Sequence, residues 1–196
     1  MTARRCLDRR PRALVVSTLL CLSFWQLAQG AYVPAKAWVA QELMQRAWLR
    51  AERGEAQPAP WPWADTWPLA RLTARGGEVD LIVLAGGSGR TLAFGPGHLD
   101  ASALPGDPGN SVIAGHRDTH FSFLRHLAPG DSLRVERPGG RAHLFVVTQV
   151  DVVDSRRAGI LLEAATPTLT LVTCYPFDAP VAGGPLRYVV TAEGVY

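Results

Sequence analysis

"TLTLVTCYPF", residues 168–177, alternates β-forming and apolar side chains up to Cys174 and then breaks on Pro176. Period-two alternation predicts a strand with one face turned to a core. A cysteine ending such a strand is by default a small buried hydrophobe. It becomes a nucleophile only beside a base or a cation that favours the thiolate. The rest of the chain decides between the two.

Working outward, residues 69–196 break into short β-like runs separated by Gly and Pro. These are "LARLTA" (69–74), "DLIVLA" (80–85), "TLAF" (91–94), "SVIAGH" (111–116), "DSLRVER" (131–137), "AHLFVVTQVDVV" (142–153), "TLTLVTC" (168–174) and "LRYVVTA" (186–192). Eight such strands predict a mainly β fold, a closed or nearly closed barrel, because closure removes exposed strand edges. The 19 glycines and 15 prolines suit that many turns. "HFSFLRHLA", 120–128, predicts a short helix, "AGILLEAA", 158–165, a short turn, and "GGSGR", 86–90, another turn.

Upstream, "ALVVSTLLCLSFWQLAQGAYV", residues 13–33, carries no charged side chain. As a helix it spans roughly 30 Å, one hydrocarbon core. The arginines before it predict a cytoplasmic N-terminus and an exported body. A cleaved signal peptide ending near Ala28-Gln29-Gly30 is the rival reading. In "AKAWVAQELMQRAWLRAE", residues 35–52, Ala40, Met44, Ala47, Trp48 and Ala51 form one apolar helical face that Gly54 terminates. "AQPAPWPWADTWP", 56–68, is an extended, stiff connection whose Trp61, Trp63 and Trp67 are expected to cover the flank of the barrel.

The net charge of +3 does not make the body basic. Residues 1–12 hold five of the 20 Lys and Arg and one of the 17 Asp and Glu, leaving 15 basic against 16 acidic residues. The electrostatic footprint of a nucleic-acid binder is therefore missing from the body. Export also isolates one thiol. Cys6 falls on the cytoplasmic side and Cys21 in the membrane, so Cys174 stands alone in an oxidising compartment as a candidate reactive thiol.

Five histidines are candidate bases. His116 ends an apolar run and opens the polar turn "HRDTH", the context in which a barrel presents a side chain at its mouth. His143 reads as an exposed strand residue, His98 as a loop residue, and His126 as part of the short helix. His116 and His120 have the spacing of a helical metal pair, but Arg117 stands where a metalloprotease needs glutamate, so no metal site is expected. Arg187 enters the apolar strand "PLRYVV" one hairpin after Cys174. A guanidinium there favours the thiolate and suits an oxyanion; a strand arginine reaching for solvent is the plainer reading.

Taken together, "TLTLVTC", "SVIAGHRDTHF" and "PLRYVV" resemble the signature of the sortases, cysteine transpeptidases of bacterial surfaces. The TLxTC form is complete in Thr170-Leu171-Val172-Thr173-Cys174, and the order His, Cys, Arg agrees. "PAKAWVAQELMQRAW" and "PWPWADTWPLARL" look most like the proteobacterial class GN branch. The resemblance covers roughly residues 34 to 196. It implies a sortase-type eight-stranded barrel with short helices, preceded by a transmembrane and an amphipathic helix. The segments are then a basic tail (1–12), a membrane signal anchor (13–33), the amphipathic helix (34–55), the Pro/Trp connection (56–68) and the catalytic barrel (69–196).

The resemblance also implies roles. Cys174 is the nucleophile, His116 the general acid and base, and Arg187 the oxyanion or substrate stabiliser, with Thr173 a further substrate or oxyanion contact. The expected reaction cleaves a C-terminal sorting motif of a secreted target protein and transfers it to an amine, without cofactor or metal. The expected place is the inner membrane, N-terminus inside and barrel in the periplasm. An exported cysteine peptidase that hydrolyses the same thioacyl intermediate is one alternative, and a membrane-tethered binding domain is another. Residues 154–167, which in sortases shape the substrate groove, are short here.

Overall fold

The computed structural model describes residues 9–181 and 183–195; the first eight residues, Cys6 included, lie outside the described residues, with most of the basic tail. One helix, α1 (Arg9–Glu52), precedes eight strands: β1 (Pro68–Ala74), β2 (Val79–Ala85), β3 (Gly97–His98), β4 (Gly109–Ala114), β5 (Ser132–Arg137), β6 (Arg141–Asp154), β7 (Pro167–Cys174) and β8 (Leu186–Val195). A short helix, α2 (Gly89–Leu92), and a 3-10 turn at Ser122–His126 are inserted between them.

The chain forms two compact units, one ending at Gln41 and the other beginning at Glu42. In the first, Leu14, Val15, Leu19, Leu20, Phe24, Trp25 and Leu27 are all exposed, and the helix is long and apolar enough to cross a membrane. The two helical stretches read from the sequence run on as one element with Pro34 inside it. In the second unit, Met44, Ala47, Trp48 and Ala51 are buried along one side of the last helical turns. Gly54, with φ at +92°, ends the helix. Its N–H donates to Ala51 O and that of Glu55 to Arg50 O, a left-handed C-cap that favours glycine.

The strands close into a barrel in the order β1-β2-β3-β4-β7-β8-β6-β5. Pairing is antiparallel except at β2/β3 and β4/β7. Inward side chains alternate as the sequence predicts: Leu72, Val83, Ile113, Leu133, Val135, Phe145, Val147, Leu169, Leu171 and Val190 fill the core. Phe121, Phe123, Leu124 and Leu127 join it from the 3-10 turn region. Each such fully buried side chain contributes about 1.5–3 kcal/mol of apolar transfer.

Five local expectations are corrected. "TLAF" is not a strand, because Ser88 Oγ accepts the Thr91 N–H at 3.1 Å and caps α2 there. The third strand is instead Gly97–His98, so His98 is a buried barrel residue rather than a loop one. Its Nε2 bonds Ala103 O at 2.9 Å. Residues 158–164 carry no regular structure. His143 is half-buried rather than exposed; a Cβ on Gly106 would stand 2.3 Å from its ring, so glycine is what lets that loop cross it. The tryptophans divide: Trp61 packs edge-on against Phe94 at 4.7 Å, whereas Trp63 is 81% exposed.

Candidate active site

Cys174 is the last residue of β7 and pairs across the ladder with Arg187 of β8. Directly opposed residues share a face with Cβ atoms about 5 Å apart. The two residues thus stand side by side on one face because the register from Thr168↔Glu193 to Cys174↔Arg187 runs without a shift. Alternation separates Cys174 from its neighbour: Thr173 is buried at 2% exposure, while Cys174 is half-buried on the opposite face.

Two residues beyond β4, His116 comes to the same end of the barrel. β4 runs parallel to β7 with Ala114 beside Val172, and the Gly115 N–H extends that ladder to Val172 O at 3.1 Å. The Gly115 carbonyl accepts the Thr173 hydroxyl at 2.7 Å. Phe121 lies on the other side of Gly115, where a Cβ would meet its ring at 2.8 Å. His116 O accepts the Phe121 N–H at 2.9 Å, and His116 itself is exposed. The three residues expected at the site therefore come from the ends of β7 and β8 and the turn after β4, at one rim.

Thr173, expected as a further substrate or oxyanion contact, has a buried side chain. Its hydroxyl proton is committed to Gly115 O inside the barrel, so it joins the cysteine strand to the residue before His116. The stretch from His116 to His120 is a turn, so their spacing of four does not set them on one helix face.

The charges around the site follow from short-range partners. Arg187 donates through Nη1 to Gly184 O at 2.6 Å and Leu186 O at 2.9 Å, and has no acidic partner among the described residues. The nearest carboxylate in register is Asp154, paired with Leu186. Arg156 holds it through Nη2 at 2.6 Å and Nε at 3.0 Å, and this keeps the Asp154 carboxyl down at about 2. His120 lies close to His116, with its pKa lowered by burial and then by the charge of His116, opposed by Asp118.

Behind Cys174, Tyr175 and Tyr188 stack with ring centroids 6.1 Å apart, and Phe177 meets Tyr188 edge-on at 5.0 Å. Along the β4/β7 surface, Asn110 receives Thr170 Oγ1 at 2.9 Å and donates through Nδ2 to Leu161 O at 2.8 Å. This pins the irregular 158–164 segment at the Asn110–Thr168 end of the β4/β7 pair, and Leu161 is 83% exposed. Sequence reasoning passed over Arg117 as anything but an argument against metal, yet its guanidinium bonds three carbonyls of the loop after Cys174. The arginine directly after His116 was the only signal.

The chain is similar to known proteins. The family model described as a sortase domain matches residues 72–195. Sortase D of Bacillus subtilis (strain 168) is 32% identical over 119 residues, 60% of this chain and 59% of that protein. The match thus spans less than two thirds of that relative. A solved structure of a Clostridium perfringens Sortase D5 transpeptidase aligns with a TM-score of 0.65 at 20% identity, covering 81% of this chain and 99% of that one. Sortase C-1 from Actinomyces oris aligns with a TM-score of 0.58 at 28% identity, covering 78% and 99%.

Proposed function

The chain belongs to the sortase family, and from that premise we propose that it is a membrane-tethered cysteine transpeptidase acting through Cys174, His116 and Arg187. The observation that carries the assignment is the unshifted β7/β8 register that pairs Cys174 with Arg187, with His116 fastened to the same strand end through Gly115.

The Cys174 thiolate attacks the carbonyl carbon of a peptide bond in the C-terminal sorting motif of a secreted protein. Negative charge develops on the carbonyl oxygen, and the Arg187 guanidinium, without a carboxylate partner among the described residues, stabilises it together with backbone N–H groups. His116 as imidazolium gives its proton to the departing amine, the C–N bond breaks, and a thioester remains on Cys174. An incoming amine adds to the thioester and returns a proton to neutral His116. The Cys174 thiolate leaves, and a new amide is formed. The exposed Ile160, Leu161 and Leu162 line the segment that sortases use to shape the substrate groove, which supports an apolar contact with the sorting motif.

The branch we assign is the proteobacterial class GN, on the two stretches at residues 34–48 and 60–72 that carry that likeness. We assign residues 13–33 as an uncleaved anchor, the N-terminus to the cytoplasm and the barrel to the periplasm, on the strength of the exposed apolar helix and the arginines before it.

The deciding experiment incubates the protein with candidate sorting peptides and an amine and follows the mass of Cys174. A thioacyl adduct that converts to amide product, and is lost in Cys174→Ala, is the expected result. No adduct with any peptide would overturn the enzyme reading in favour of a binding domain. Hydrolysed product alone, even in excess amine, would make the protein a peptidase.

A further inference from the structure

Arg117 follows the general acid directly, and its side chain reaches the loop that follows the nucleophile. Nη1 donates to Pro176 O at 2.8 Å, and Nη2 donates to Ala179 O at 2.7 Å and Val181 O at 3.3 Å. Arg117 is half-buried and has no carboxylate partner among the described residues, so backbone carbonyls alone compensate its charge. A guanidinium suits this task because its planar fork presents several N–H groups in fixed directions. The far end of the same loop is held by Arg187 through Gly184 O and Leu186 O.

His116 is therefore secured from both sides. Gly115, before it, is bonded to β7 through Val172 O and Thr173 Oγ1. Arg117, after it, is bonded to the loop that leaves β7 at Cys174. Release of the second attachment frees the His116 turn and the 175–185 loop from one another, while Gly115 still holds the first.

We propose that Arg117 is a positioning residue that sets His116 against Cys174 by clamping the β7–β8 loop to the histidine turn. It acts through His116 and Cys174 and does not touch substrate, so the inference rests on the catalytic roles proposed above for those two residues. The chemistry recognised by Arg117 is the set of three carbonyl oxygens, which no single-donor side chain reproduces.

The test uses the full chain and iodoacetamide as the probe, so it needs no sorting peptide. Alkylation of Cys174 is followed by mass spectrometry across about pH 5 to 9, where thiolate and imidazole titrate. Wild type, His116→Ala, Arg117→Met and Arg117→Lys are compared, with amide hydrogen exchange of residues 175–185 measured in each. The Arg117→Met profile is expected to move onto that of His116→Ala, and exchange in the loop to rise about tenfold through local opening. Arg117→Lys, which keeps the charge but not the fork, is expected to fall between.

An Arg117→Met profile superimposed on wild type overturns the proposal, as does a loss of thermal stability with an unchanged profile. Where Arg117→Met does not fold, Arg117→Lys decides: wild-type profile and exchange would overturn it, since one ammonium cannot hold three carbonyls in fork geometry. A His116→Ala profile identical to wild type would instead overturn the pairing of His116 with Cys174, a distinct failure.

Discussion

His120 is a residue near the site whose protonation the fold disfavours, and it gives a pH prediction. Burial and the neighbouring His116 lower its pKa from the ordinary 6.5, against a smaller opposing effect of Asp118. The folded state therefore resists protonation that the unfolded chain accepts. Above pH 6.5 this costs nothing; as pH falls through 6.5 the unfolded state binds more protons and stability declines. His120→Gln should flatten the fall in thermal midpoint between about pH 7 and 5 relative to wild type. An unchanged slope would mean that His120 titrates normally. Thr173 teaches a different lesson at the same scale. The face it occupies is set by register, and its hydroxyl donates to Gly115 O.

At the scale of elements, the β4/β7 parallel pair and the turn after β4 form the frame that holds the histidine. Gly115 is the tight point, with Phe121 ring carbons 2.8 Å from where a Cβ would stand. Gly115→Ala should force that ring out of the core and cost about 1–3 kcal/mol, the usual range for overpacking. Thermal or denaturant unfolding measures it, and a change below about 0.5 kcal/mol would show that the ring yields freely. Much of this frame was readable beforehand. Seven of the runs read as strands overlap strands in the structure because alternation of apolar side chains over six or more residues is unambiguous. Gly97–His98 was not readable, since two residues carry no period. "TLAF" misled because its β-forming content was overruled by a capping serine three residues earlier.

For the molecule as a whole, the exposed apolar helix of the first unit and the closed barrel of the second predict different partitioning. The full chain should remain with membranes after alkaline extraction and dissolve in detergent, whereas protein from residue 34 onward should stay in the supernatant. Recovery of the full-length product as a soluble species shortened near Gly30 would replace the anchor with a cleaved signal. Protease added from the periplasmic side should reach the barrel in spheroplasts; protection would reverse the orientation.

What the sequence by itself determined is what depends on local order: the apolar span, the strand alternation, and the candidacy of Cys174, His116 and Arg187. Periodicity and residue chemistry are properties of neighbours along the chain, so they survive without coordinates. The tertiary structure alone decided which atoms meet. Arg117 takes its acceptors 59 to 64 positions away, and they are backbone carbonyls, which every residue type supplies. No side-chain pattern marks such acceptors, and only closure of the barrel brings the loop after Cys174 within reach of the turn after His116.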